Sequence, residues 1–186
     1  MKLNELVQTE KLDLTEAADG SVVMRIPFLL GDQTNKNNRR YPTEVLKSAV
    51  ADLKKRLTAR TAYGSSAHMK ELEVNDVAHM VSDVSMEGKQ VVGTVKVLPT
   101  TRGRNLMTII RAGGRVGVSA RGAGSTVKTA DGIDEVQGDY KMSGFDFVLN
   151  PSFDLHADAG MIMESAKIDE EPKAAGRTEF STDLAP

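Results

Sequence analysis

Directly after the turn signal Asp19-Gly20, Val22, Val23, Met24, Ile26 and Phe28 form an apolar run rich in strand formers. This predicts a buried strand. A polar loop rich in Asn, Lys and Arg runs from Gly31 to Arg40. Pro42 then stands where a first helical turn tolerates it. Val45, Leu46, Ala49, Val50, Leu53 and Leu57 recur at helical spacing, so residues 42–58 predict an amphipathic helix. No period is visible between Thr58 and Asn75. Val77 to Met86 and Gln90 to Leu98 predict two strands around Glu87-Gly88, with Val91, Gly93, Val95 and Val97 on one face of the second. Leu106, Ile109 and Ile110 predict a short helix from about 104 to 112, stopped by Gly113-Gly114. Arg115 to Arg121 reads as a Gly-flanked strand, Asp131-Gly132 as the tip of a hairpin, and Tyr140 to Leu149 as the last core strand, ended by Asn150-Pro151.

Strands dominate and two helices are inserted, so the expectation is a mainly-β, α+β fold with a single-domain antiparallel or barrel-like sheet. The chain of 186 residues is large enough for one substantial core. Residues 1–20 form a polar N-terminal segment, 21–164 the folded domain, and 165–186 a Glu/Lys/Pro/Ala-rich stretch that reads as a flexible tail. The net charge of -2, with no basic run, argues against a nucleic-acid partner, as do 4% aromatics and the absence of Trp. The absence of cysteine excludes a disulfide framework, a thiolate nucleophile and Cys-based metal sites. There is neither a signal-peptide pattern nor an apolar run of membrane-spanning length, which predicts a soluble protein with no membrane partner.

Three segments carry more than composition does. They are Ala67-His68 with Asp76-Val77-Ala78-His79, then Gly117-Val118-Ser119-Ala120-Arg121-Gly122, then Gly144-Phe145-Asp146-Phe147-Val148-Leu149-Asn150-Pro151-Ser152. In that order they resemble the prohead core (capsid maturation) serine proteases of large tailed phages, which are related to the herpesvirus assembly proteases. Asn38-Arg39-Arg40-Tyr41-Pro42 and Val97-Leu98-Pro99-Thr100-Thr101-Arg102-Gly103 are similar to the same family, so the resemblance runs from about Val22 to Ser152. It implies a barrel-like fold of the herpesvirus-protease type and a Ser-His-Asp endopeptidase without cofactor. Many relatives carry a Gly-Glu-Leu-x-His-Pro-like run where this chain has Gly64-Ser65-Ser66-Ala67-His68-Met69, a departure that keeps the histidine.

A serine hydroxyl needs an adjacent base, and an imidazole base needs a partner that fixes its tautomer and offsets its charge. Ser119 reads by itself as a small strand residue among glycines. Glycines at 113, 114, 117, 122 and 124 let a substrate backbone approach and leave main-chain donors near Ala120, Arg121 and Gly122 to hold an oxyanion or substrate. With the family pattern, Ser119 becomes the expected nucleophile. His68 matches the position of the family's base, although by itself it reads as an exposed loop histidine. His79, inside a predicted strand, is the alternative base and more often a structural residue; His156 is the third histidine. Asp146 falls where the herpesvirus enzymes carry a second histidine, and its neighbours Phe145 and Phe147 face the other side of the strand. An arginine, Arg115 or Arg121, competes with His68 as the partner of that carboxylate. Asp76, His79, Asp83 and His156 lack a metal-ligand spacing, so no metal is expected.

The resemblance implies substrates and setting as well. Such proteases cut scaffold or core proteins, major capsid proteins and themselves inside the assembling prohead, in the host cytoplasm. The best-known branch cuts after a glutamate preceded two positions earlier by an aliphatic residue. Ile162-Met163-Glu164 fits, so self-cleavage between Glu164 and Ser165 would release the tail. A homo-oligomer is expected. The competing readings are a non-catalytic head or tail assembly protein on a similar fold, and a metal-dependent hydrolase.

Overall fold

The computed structural model describes residues 19–161, with the exception of 70 and 158. Glu164, Ser165 and the segment 165–186 therefore lie outside the described residues. Within them, ten strands and two α-helices form a mainly-β fold. Strand β1 (Val22–Leu30) pairs antiparallel with β5 (Gln90–Val97), β5 with β4 (His79–Glu87), and β4 with the two-residue β3 (Tyr63–Gly64). A second sheet has β6 (Val116–Ala123) at its centre, between β9 (Lys141–Val148) and β10 (His156–Ala157). The first sheet meets the second where the Phe147 N–H donates to the Ser65 carbonyl just past β3, at 2.9 Å. At the other end of the wall, β1 packs on β6 and β10. The result is a curled, barrel-like sheet, as the dominance of strands predicts.

The interior is filled by the residues whose alternation marked the strands. Phe28, Phe145, Phe147, Met24, Ile26, Val91 and Val95 are buried, and Phe28 stacks on Phe145 with ring centroids 4.5 Å apart. Gly93 on β5 leaves room for them, since a Cβ there would come within 2.8 Å of the Phe145 ring. Helix α1 (Thr43–Leu57) lays Leu46, Ala49, Val50, Leu53 and Leu57 against β4 and β9. Burying that stripe, at roughly 2 kcal/mol for each large side chain, holds the helix in place more than its propensity does.

Helix α2 spans Thr101–Arg111 and so starts earlier than its apolar spacing predicts. The Thr100 hydroxyl accepts the Gly103 N–H and caps it. Gly103, which reads as a breaker, is needed because a Cβ would overlap the Leu98 and Ala78 carbonyls. Beside the cleft lies a small third sheet of β2 (Arg39–Arg40), β7 (Thr126–Lys128) and β8 (Asp134–Val136), in which β2 runs parallel to β8. Its hairpin turns at Asp131-Gly132 as expected, with Gly132 at φ +80°.

Candidate active site

The site is built on the pairing of β6 with β9, in which Ser119 stands directly opposite Asp146. Side chains alternate across a strand. Val118, Phe145 and Phe147 therefore point into the barrel, whereas Ser119 and Asp146 share its outer face. A carboxylate on an outer face would ordinarily be wet, yet Asp146 is fully buried. What covers it is the segment that leaves β3 and crosses over β9. Ser65 anchors that crossing twice: its carbonyl accepts from Phe147 N–H, and its own N–H donates to Asp146 Oδ1 at 2.9 Å. Three residues later His68 brings Nδ1 to 3.9 Å from Asp146 Oδ2. That exceeds hydrogen-bond length, but catalytic contacts commonly tighten only around substrate.

Both partners anticipated for Asp146 are present. Besides His68, Arg121 reaches the carboxylate, with Nε 3.1 Å from Oδ2, although the two are not aligned as a hydrogen bond. Burial pushes the Asp146 carboxyl up from its ordinary range, and the Ser65 N–H, Arg121 and His68 oppose that shift. The imidazole of His68 is 63% exposed and free to meet a substrate.

His79 has the opposite environment. It is fully buried on the inner face, stacked on Phe145 at 5.0 Å and edge-on to Phe147 at 4.9 Å. Desolvation, with the nearby charge of Arg121, lowers its pKa from 6.5 to about 3. The wall of the barrel separates this neutral imidazole from the Ser119 side chain. The residues weighed as metal ligands do not gather either. Asp76 pairs with Arg102 and Asp83 with Lys54, and among the described residues no group of three or more His, Asp or Glu is placed to hold an ion.

The family model described as "Prohead core protein serine protease" matches residues 8–167. The chain belongs to this prohead core protease family. It is similar to the prohead core protein protease of Enterobacteria phage T4, with 32% identity over 131 residues, covering 67% of this chain and 62% of that relative. The chain thus aligns with less than two thirds of the relative's length. The solved structure of the bacteriophage T4 capsid assembly protease superposes with a TM-score of 0.65 at 28% identity, covering 69% of this chain and 81% of the other.

Two open cavities meet at Ser119 and His68. One, of about 820 Å³, is lined by Arg39, Arg56, Arg121 and Lys141 among others, with no carboxylate among the described residues of its wall. The other, of about 710 Å³, has a more apolar wall that includes Ala67, Val148, Leu149 and Pro151. Between them lies an open strand edge. Val118 N–H donates to the Leu155 carbonyl on the β10 side. Because successive N–H groups alternate in direction, that of Ala120 faces the same edge beyond the last β10 pair, His156–Gly117. Sequence reasoning missed Ser65, the Tyr63 carbonyl and the cavity lining by Arg39, Arg56 and Lys141. These groups are assembled by long-range crossings and leave no local period. A trace of the crossing exists in Gly64, where a Cβ would overlap the His79 ring and the Phe145 carbonyl.

Proposed function

We propose that the chain is a serine endopeptidase in which Ser119 is the nucleophile, His68 the general base and Asp146 the acid that orients it. The observation that carries this reading is the outer face of β6 and β9. There the hydroxyl-bearing residue stands opposite a buried carboxylate, and the same carboxylate faces Nδ1 of an exposed imidazole. With Nδ1 turned to Asp146, Nε2 is left for the Ser119 hydroxyl. His68 takes the Oγ proton as Oγ bonds to the scissile carbonyl carbon. Main-chain N–H groups around Ala120 hold the oxyanion, and collapse expels the amine with the proton returned from His68. Water then attacks the acyl-enzyme by the same proton route and frees Ser119.

The substrates in this reading are scaffold or core proteins and capsid proteins within the assembling prohead, as the names of the relatives suggest. Cleavage of glutamate-containing segments suits the cavity lined by Arg39 and Arg56, with no carboxylate among the described residues of its lining. Chain ends cut after Glu164 would follow from the same preference.

The test is covalent. A fluorophosphonate probe should modify Ser119, and Ser119→Ala should abolish both modification and peptide hydrolysis. The unfolding free energy should change by less than about 1 kcal/mol, as expected for a partly exposed strand residue. Hydrolysis that persists in Ser119→Ala and is lost with chelator would favour the metal-dependent reading; a wild type that neither hydrolyses peptide nor reacts with the probe would leave the non-catalytic one.

A further inference from the structure

Arg121 follows Ser119 by two residues, so its side chain leaves β6 on the same outer face. Its register partner on β9 is Gly144. Gly144 has φ +142°, a backbone conformation that favours glycine, and the Arg121 guanidinium lies over it at contact distance. From there Nε comes to 3.1 Å from Asp146 Oδ2, while Nη2 donates to the Tyr63 carbonyl oxygen. One guanidinium thus touches both β9 and the crossing segment that carries His68. The side chain is 20% exposed, and its head group is turned toward the acid.

We propose that Arg121 is a positioning residue for peptide hydrolysis: its guanidinium holds the Asp146 carboxylate and the Tyr63–His68 crossing in one arrangement, so that the imidazole meets a fixed, ionised acid. This rests on the peptidase reading above and gives Arg121 a role other than direct contact with the oxyanion. Two physical requirements are met by one group. A buried carboxylate needs a compensating charge to stay ionised, and a protonated Asp146 could not offset the charge of the imidazolium that forms. The planar fork of arginine can engage two partners at once, which the point charge of lysine cannot reproduce.

The experiment uses the full chain. Rates of fluorophosphonate modification and peptide hydrolysis are measured from pH 5 to 9 for the wild type, Arg121→Gln, Arg121→Lys, Asp146→Asn and the Arg121→Gln/Asp146→Asn pair. Loss of the cation lets Asp146 protonate more readily, so the acid limb of the profile should move up by about one pH unit. Arg121→Gln should slow modification about 10- to 100-fold, with partial recovery in Arg121→Lys. Added to Asp146→Asn it should cost less than about twofold, because the two residues act as one unit. An unmoved acid limb, with an equal loss in both backgrounds, would overturn the proposal in favour of a substrate or oxyanion contact. Should Arg121→Gln not fold, Arg121→Lys carries the same test, and a wild-type profile there overturns it. A wild-type protein that is not modified at Ser119 overturns the peptidase reading itself.

Discussion

His79 offers the sharpest physical prediction, because its burial is complete and that burial sets the direction in which its titration moves. In the folded protein its pKa falls from 6.5 to about 3, first through desolvation and then through the charge of Arg121. The folded-state value is depressed, so the stability at stake is fully present above pH 6.5 and is lost as pH falls from there toward 3. Between those limits the unfolded chain binds a proton that the folded chain refuses, and each pH unit costs about 1.4 kcal/mol. From pH 7.5 to pH 5 the loss attributable to His79 comes to about 2 kcal/mol. His79→Leu removes the titration while keeping an apolar side chain of similar volume. The lost ring contacts with Phe145 and Phe147 lower stability by the same amount at every pH. Urea unfolding at a series of pH values separates the two effects. The wild type should lose about 2 kcal/mol more than His79→Leu across that interval, roughly 1 M in urea midpoint for a domain of this size. Parallel curves for the two proteins would refute the account of His79 as a neutral, buried imidazole. The same variant, assayed at pH 7.5 where it is folded, should retain peptide hydrolysis within about tenfold, whereas a general base would lose several orders of magnitude.

Two further outcomes follow from the same geometry. Gly64→Ala places a methyl group against the His79 ring and the Phe145 carbonyl, so it should destabilise the fold by about 3 kcal/mol or more and depress hydrolysis by shifting the crossing that carries His68; unchanged urea unfolding would contradict this. In intact-mass measurements, active wild-type protein should lose residues 165–186 on incubation, and Glu164→Gln should keep its full mass; a stable full-length mass in active wild type would remove self-cleavage at that bond.

Much of the architecture was legible because burial imposes a period. The α1 stripe, the β4–β5 hairpin around Gly88 and the inward Phe145 and Phe147 of β9 all follow from which positions must be apolar. The two-residue strands β2, β3 and β10 were not legible, since a pair of residues carries no alternation and each is defined by a partner distant in the chain. Of the candidate site, Ser119 and Asp146 were singled out by the family resemblance, which the glycine flanks of one and the phenylalanine neighbours of the other supported. Their apposition across β6 and β9 required the register, which no local pattern encodes. Arg121 was legible as a neighbour of Ser119 and as one candidate partner for Asp146, but its second contact, with the Tyr63 carbonyl, depends on the crossing from β3 over β9.

The same crossing explains why a carboxylate on an outer face can be fully buried. The segment from Tyr63 to His68 covers Asp146, and it is the same segment that delivers the imidazole. Burial of the acid and arrival of the base are one structural event. The crossing lies close enough to the wall only because Gly64 has no side chain to strike His79 and the Phe145 carbonyl. His79 and His68 thus belong to opposite sides of one contact. The inner imidazole packs beneath the crossing and supports it, while the outer one emerges from its far end beside Ser119. A chain carrying both histidines within a dozen residues offers two candidates for the base, and the parity of β9 separates them. Whatever stacks on Phe145 and Phe147 lies inside the barrel, and whatever meets Asp146 lies outside with Ser119.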